Sequence, residues 1–268
     1  MNVFGKSFEY DGVSSSDYNV MLCSLEYSTD RTTGISYNIL SGDISPNRPI
    51  RNYYNKSYKE PLQFEISICK DVCENNGTYF TSEEQKSIVR WITSPLDYRE
   101  LKIEDYDDDS YHKGICYYCL CLEYKETVIN NIVCLSFTFQ CNAPYAFYEE
   151  QVTSFESTES TNIQILNYSD ELELYYYPIV EIIPSETGEI SIVNDNFPTE
   201  TMILKVKNGQ KLLIDNDMCD ISDEMGLFNY NTDTNLQWIK LNSGNNTITV
   251  TGKVIGKFRC LYPRKVGI

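Results

Sequence analysis

A cluster of sulfur ligands is the part of this sequence that is most similar to a metal site. His112 precedes the motif Cys116-x-x-Cys119-x-Cys121, and zinc needs four nitrogen or sulfur ligands that converge tetrahedrally. The motif lies in an alternating run of apolar residues, which is typical of a β-strand. Side chains of a strand alternate between its two faces, so Cys119 and Cys121 should face one side and Cys116 the other. We therefore expect buried structural thiols and no bound metal or cofactor.

A run of acidic residues, Glu104 to Asp109, is similar to a calcium-binding loop. In an EF-hand, a glycine at position six makes the turn and a glutamate at position twelve completes the coordination. Counted from Asp105, those positions hold Ser110 and Cys116. We expect a solvated turn before the next strand, because acidic blocks are usually solvated. Weak calcium binding stays open as an alternative.

Catalytic chemistry has little support in the residue types. The chain contains a single histidine, and no serine or cysteine nucleophile motif lies near it. A glycosidase needs two carboxyl groups about 5 to 9 Å apart. The sequence does not show which of the 39 acidic residues lie at that separation. We therefore predict a protein that is not an enzyme, with glycosidase as an open alternative.

Composition restricts the partners of the chain to other proteins. The formal charge is −17, whereas wrapping nucleic acid needs clustered Lys and Arg to neutralise phosphates. No apolar run approaches the roughly 20 residues that cross a bilayer, so membrane insertion is not expected. The ten cysteines are irregularly spaced and the start lacks an apolar signal segment, which favours cytoplasmic synthesis with reduced thiols.

The first half of the chain should consist of short strands and one helix. Apolar and polar residues alternate from Leu62 to Ile68, which is the period of a strand with one solvated face. Two further strands, Ile115 to Tyr124 and Ile132 to Cys141, are separated by Asn130-Asn131 and predict a hairpin.

The predicted helix runs from about residue 82 to Thr93. Two capping boxes overlap at its start: Thr81 with Glu84, and Ser82 with Gln85. Apolar residues follow at helical spacing: Ile88, Trp91 and Ile92. Pro95 should end the helix, because proline disfavours helical geometry in the residue before it. Trp91 is expected to pack this helix onto the first sheet.

A Glu-, Ser- and Thr-rich stretch near residue 148 marks a boundary between two halves. Beyond it, turn signals recur at the interval of a β-sandwich. Asn208-Gly209 predicts a type I′ turn that joins Met202–Val206 to Lys211–Asp215 as a hairpin. The fold class is therefore mainly β, with domains at 1–148 and 149–252 and a basic segment at 253–268.

The basic segment is the predicted docking element. It holds five cations and no acid, so the rest of the chain carries −17 minus 5, or −22. A basic segment on an acidic body suggests docking against an acidic surface. We expect it to leave the second domain after Thr251. The candidate interface residues are Lys253, Lys257, Phe258, Arg259, Tyr262, Arg264 and Lys265.

The order and spacing of several motifs resemble the distal tail proteins of siphophages over nearly the whole chain. The motifs in the first half are Phe8 to Tyr18, Arg48-Pro49, Tyr58 to Ile66, Ile88 to Pro95, Tyr98 to Asp105, and Phe137 to Tyr145. Those in the second half are Tyr177 to Ile182 and Leu236 to Ile248.

This resemblance implies a β-sandwich or split-barrel-like N-terminal domain with one helix, and a galectin-like, jelly-roll C-terminal domain. It implies a virion protein at the distal tail tip, in which six copies form a hub ring. The implied partners are other copies of the chain, the major tail-tube protein, a tail-associated lysin or fibre protein, and a receptor-binding protein. It also suggests that the basic segment runs back along the N-terminal domain or onto a neighbour.

Carbohydrate binding for attachment to the host surface is the alternative function. Some members of the resembled family carry inserted sugar-binding modules, but this chain has no long extra segment. A sugar site would need an aromatic platform in the second domain. Its candidates are Tyr175, Tyr176 and Trp238, although such rings more often fill a core or an interface.

Overall fold

The computed structural model describes residues 5–23, 36–45, 48–70, 79–104, 113–129 and 132–265. The acidic run after Glu104, together with His112 and Cys73, lies outside these residues. The chain divides into two compact units, Met1–Phe147 with Lys265–Ile268, and Tyr148–Arg264. Most of it is β-strand, so the mainly β prediction is confirmed.

The first unit contains most of its strands in one antiparallel sheet. Its elements are β1 (Ser7–Tyr10), β2 (Val13–Ser14), a 3₁₀ helix (Ser15–Tyr18), β3 (Val20–Leu22), β4 (Tyr37–Ser45), β5 (Arg48–Tyr58), β6 (Gln63–Lys70), α1 (Ser82–Thr93), β7 (Arg99–Glu104), β8 (Ile115–Ile129), β9 (Ile132–Cys141) and β10 (Ala146–Tyr148). The main sheet has the order β2-β1-β7-β8-β9-β6-β3, and β10 pairs with β8. Strands β4 and β5 pair with each other as a separate two-stranded sheet.

The predicted strands of this unit are confirmed. In β6, Phe64, Ile66 and Ile68 are buried as the alternation requires. Ser67, expected on the solvated face, is also buried, because its hydroxyl bonds that of Ser136 at 2.7 Å. The β8–β9 hairpin forms as predicted, although β8 extends to Ile129.

Helix α1 occupies the predicted residues and begins at the first of the two capping boxes. The Thr81 hydroxyl accepts from the Glu84 amide at 3.2 Å, and the Glu84 carboxylate accepts from the Thr81 amide at 2.7 Å. Ile88 and Ile92 are fully buried in the core, with Trp91 partly buried against it. The apolar stripe therefore packs α1 onto the sheet, as expected.

The second unit is a two-sheet sandwich. Its elements are β11 (Gln151–Ser157), β12 (Ser160–Asn167), β13 (Ile179–Pro184), β14 (Gly188–Asn194), β15 (Met202–Val206), β16 (Leu212–Asp215), β17 (Asp220–Asp223), α2 (Tyr230–Asp233), β18 (Gly244–Thr251), β19 (Val254–Cys260) and β20 (Pro263–Arg264). One sheet has the order β11-β19-β13-β16-β17 and the other β12-β18-β14-β15. Buried residues from both sheets form one core.

The hairpin predicted at Asn208-Gly209 is wrong. Strand β15 pairs with β14 and strand β16 with β13 and β17, so the turn carries the chain from one sheet to the other. Gly209 has a positive φ of 73°, whereas Asn208 is not among the residues with positive φ. A type I′ turn needs positive φ at both central residues. That combination occurs instead at Asp11 and Gly12, which join β1 to β2.

Within the described residues, no helix is long and apolar enough to cross a membrane.

Candidate assembly surface

The cysteines of β8 are structural thiols in this fold. Cys119 belongs to the core of the first unit and Cys121 packs against it, whereas Cys116 is buried outside that cluster. The predicted alternation of faces is confirmed. Burial raises the pKa of Cys116 to about 12 and that of Cys121 to about 11. Among the described residues, no three His, Cys, Asp or Glu side chains form a group that could hold a metal ion.

The basic C-terminal segment does not leave the second unit after Thr251: its residues up to Arg264 belong to that unit, which corrects the expectation from its charge. Residues 254–260 form β19, an interior strand between β11 and β13. Phe258 and Tyr262 are fully buried in the core of this unit. They therefore stabilise the sandwich itself and are not exposed anchors for another surface.

The cations of this segment pair with acids of their own unit. Arg259 contacts Glu150 at 2.8 Å and Glu181 at 3.2 Å, and Lys257 contacts Glu181 at 3.1 Å. Lys253 contacts Glu186 at 2.8 Å. Burial raises the pKa of Glu181, but hydrogen bonds from Lys257 and Arg259 outweigh it and the net shift is downward.

The last two candidate interface residues are placed differently. The Arg264 guanidinium lies 5.1 Å from the centre of the Tyr148 ring, a cation–π contact within the second unit. Lys265 is assigned to the first unit. Of the seven candidates, two are therefore in the core, three in internal ion pairs and one in a cation–π contact, and one belongs to the first unit.

The three aromatic candidates for a sugar platform make separate contacts. Lys240 lies over the Tyr175 ring at 4.7 Å and over the Phe197 ring at 4.6 Å. The Tyr176 ring packs against buried Tyr262 at 4.6 Å, and its hydroxyl accepts from the Leu261 amide. Trp238 is partly buried against the core. Tyr176 and Trp238 thus pack against the core of the sandwich, whereas Tyr175 is 50% exposed.

The β4–β5 hairpin is a surface that the sequence reasoning missed. Among the described residues it forms no ladder with the main sheet, and isolated two-stranded hairpins are marginally stable in water. On β4, Ile39 is 67% exposed and Leu40 is 55% exposed. By sequence its strands hold three cations, Arg48, Arg51 and Lys56, against Asp43, so their net charge is +2.

The base of this hairpin is fixed to its unit by aromatic rings. Tyr37 and Tyr58 have ring centres 4.8 Å apart, Tyr58 and Tyr145 5.5 Å, and Tyr145 and Phe147 5.5 Å. The Lys56 ammonium lies 4.3 Å from the centre of the Tyr37 ring. The hairpin is therefore anchored at one end, while Ile39 and Leu40 of β4 are exposed. Ser45-Pro46-Asn47, a combination that favours a turn, was the sequence signal for it.

Comparison with known proteins agrees with this architecture. Residues 4–143 match a family model described as the phage tail protein N-terminal domain, and residues 145–260 match one described as the phage tail C-terminal domain. No curated protein matches the sequence.

Among solved structures, the fold is similar to the Dit protein of phage SPP1, described as a paradigm of the hub adsorption apparatus in phages that infect Gram-positive bacteria. The TM-score is 0.61 at 14% identity, and the match covers 96% of this chain and 98% of that one. The resemblance to distal tail proteins is thereby confirmed. The N-terminal and C-terminal models of the phage tail protein family match the two halves of the chain. The chain therefore belongs to that family of phage tail proteins.

Proposed function

We propose that this tail protein is the hub of a long-tailed phage or prophage, forming a hexameric ring at the distal tip of the tail. The ring would join the tail tube to the tail-tip fibre or lysin and to the host-adsorption apparatus. The observation that carries the proposal is a fold similarity that spans nearly the full length of both chains. A structural role fits the family, and we propose no catalytic activity.

A closed ring requires a heterologous interface, in which one patch of each subunit meets a different patch of the next. One chain must then present two complementary surfaces. The β4–β5 hairpin supplies the first surface, because its strands carry +2 while the remainder of the chain carries −17 minus 2, or −19. The acidic surface of the next copy supplies the second.

Apolar contact should contribute most of the affinity of this interface. Ile39 and Leu40 are both exposed and lie on opposite faces of β4, so the next copy would enclose the strand to bury both, and fully burying each such side chain contributes about 1.5 to 3 kcal/mol. Opposite charges chiefly raise the association rate and select the partner. The hairpin therefore replaces the C-terminal segment as the proposed docking element.

Light scattering on the purified full chain over a range of concentrations tests the ring. We expect a mass of six subunits for the wild type. The double substitution Ile39→Asp and Leu40→Asp should give monomers with unchanged melting temperature, since both side chains are already exposed.

The matched control is Leu172→Asp, which changes a 70% exposed leucine of the second unit and should leave the hexamer intact. A wild-type chain that stays monomeric at every concentration would count against a self-assembling ring. A hexamer that survives the double substitution would remove the hairpin from its interface.

Sugar binding is the weaker proposal, because the candidate rings already pack against Lys240, Tyr262 and the core. The partners we propose beyond other copies of the chain are the major tail-tube protein, the lysin or fibre protein, and a receptor-binding protein. Each belongs to the tail tip that the hub would organise.

A further inference from the structure

Three cysteines meet on one face of neighbouring strands in the first unit. Cys23 directly follows β3, and its amide donates to the Ser67 carbonyl of β6 at 2.9 Å. Cys69 of β6 lies directly opposite Cys134 of β9. The Cys23 and Cys134 sulfurs are 3.8 Å apart, and Cys23 is also hydrogen-bonded to the Cys69 thiol.

Access differs among the three thiols. Cys134 is 4% exposed, whereas Cys23 and Cys69 are partly exposed, and none of the three is in a disulfide. A small reagent can therefore reach Cys23 and Cys69 before it reaches Cys134. Among the other side chains on this face, Ser67 and Ser136 hydrogen-bond to each other, and Met21 lies opposite Cys69 but its thioether cannot form a disulfide.

We propose that Cys69 and Cys134 are a thiol oxidation site that forms a cross-strand disulfide with low-molecular-weight disulfides such as oxidised glutathione. Residues directly opposite on antiparallel strands have Cα atoms about 4.5 to 5.5 Å apart, which lies within the range that a disulfide spans. Cys23 and Cys134 are two strands apart, about 9.5 Å. That exceeds the roughly 6.8 Å upper end of this range, so Cys23 is excluded as the partner of Cys134.

The chemistry proceeds in two exchange steps. The Cys69 thiolate attacks one sulfur of oxidised glutathione, which forms a mixed disulfide and releases one glutathione thiolate. The Cys134 thiolate then attacks the Cys69 sulfur and releases the second glutathione. Two cysteine thiols are oxidised, one glutathione disulfide is reduced to two thiols, and the two cysteine protons end on them.

The product would fix β6 to β9 across a loop of about 65 residues. Closing a loop of this size restricts the unfolded chain and stabilises the fold. We expect the melting temperature of the oxidised full chain to rise by roughly 5 to 10 °C.

Peptide mapping of the full chain after treatment with oxidised glutathione tests the assignment. We expect a loss of 2 Da from the intact mass and a linked pair of peptides that contain Cys69 and Cys134. Cys69→Ser should abolish the link, and Cys23→Ser should retain it. Cys260→Ser, at a buried cysteine of the second unit, is the matched control and should behave as wild type.

Three outcomes would overturn the proposal. They are glutathione held on Cys69 with no link to Cys134, a link from Cys69 to Cys73, and a link from Cys23 to Cys134. Mapping of the wild-type chain decides all three outcomes without any substitution. The test therefore does not depend on whether a variant folds.

Discussion

Trp91 contributes to the first unit through both faces of its ring. Its ring stacks on Phe8 and Tyr18 at centroid distances of 5.5 and 4.8 Å, and its Nε1 donates to the Tyr10 carbonyl at 3.0 Å. We expect Trp91→Ala to lower the free energy of unfolding by about 3 kcal/mol, the lower end for a large aromatic because the ring is only partly buried. Urea unfolding measures this. Leu96→Ala, at a 90% exposed side chain, should cost less than about 0.5 kcal/mol. A loss below about 1 kcal/mol for Trp91→Ala would contradict the packing role.

Two adjacent asparagines in the second unit should differ sharply in importance. Asn246 is fully buried, and its amide donates to the Asn242 and Gly244 carbonyls at 2.9 Å each. Its oxygen accepts from the Asn194 amide at 2.9 Å. Asn246→Ala removes these three bonds from a buried site, at a cost of about 3 kcal/mol, although the Asn194 amide and the Asn242 carbonyl each keep one other partner. Asn245→Ala, at an exposed position, should change stability by less than about 0.5 kcal/mol. Equal losses of unfolding free energy for the two variants would show that the hydrogen bonds of Asn246 do not stabilise the second unit.

At the scale of elements, the sequence predicted correctly those strands and helix ends that depend on residues close together in the chain. The alternation in β6 and the capping residues of α1 specify structure through neighbours in sequence, and both predictions are confirmed. Asn208-Gly209 predicted a turn correctly but its partners wrongly, because a positive φ at Gly209 does not choose which strands pair. The cations between Lys253 and Arg259 suggested an external tail, because their acidic partners, Glu150, Glu181 and Glu186, are distant in sequence. Pairing over such sequence distances is not readable from one sequence.

The overlapping capping boxes of α1 give a test at a single helix end. Thr81 is the N-cap and makes both reciprocal bonds with Glu84, whereas Ser82 is the first helical residue. Thr81→Ala should destabilise the fold by about 1 kcal/mol, because the Glu84 amide loses its acceptor. Ser82→Ala should be neutral or slightly stabilising, since alanine is the better helix former. Thermal unfolding of the two variants compares them, and the reverse order would place the cap at Ser82.

The same helix end should make stability depend on pH. Hydrogen bonds from Lys70 and from the Thr81 amide lower the pKa of Glu84. A carboxyl with a lowered folded pKa stabilises the fold above its unfolded value, about 4.3, and this contribution disappears as pH falls through the folded value. The melting temperature of the wild type should therefore exceed that of Glu84→Gln at pH 6 and converge with it near pH 3. In a Lys70→Met background the difference at pH 6 should shrink. A difference in melting temperature between wild type and Glu84→Gln that grows as the pH falls would contradict the expected direction.

At the scale of the whole molecule, charge and shape together predict how a ring would respond to salt. The β4–β5 strands carry +2 and the rest of the chain −19, so docking between copies brings opposite charges together. Raising the salt from 0.1 to 0.5 M shortens the screening length from about 10 to about 4 Å, which should weaken the assembly. It should not abolish it, because burial of Ile39 and Leu40 does not depend on charge. Light scattering at several protein concentrations in each salt measures the shift.

The expected result is a several-fold rise in the concentration at which the oligomer half-dissociates, with the hexamer still recovered at high protein concentration. Charge pairs at the rim chiefly change association rates and salt sensitivity, whereas apolar contact sets residence time. Ile39→Asp alone should therefore weaken assembly more than 0.5 M salt does. Complete dissociation in 0.5 M salt would show that charge pairs supply most of the affinity. A stronger assembly in salt would show that like charges face each other across the interface. Either result would require a different docking surface from the apolar, basic hairpin.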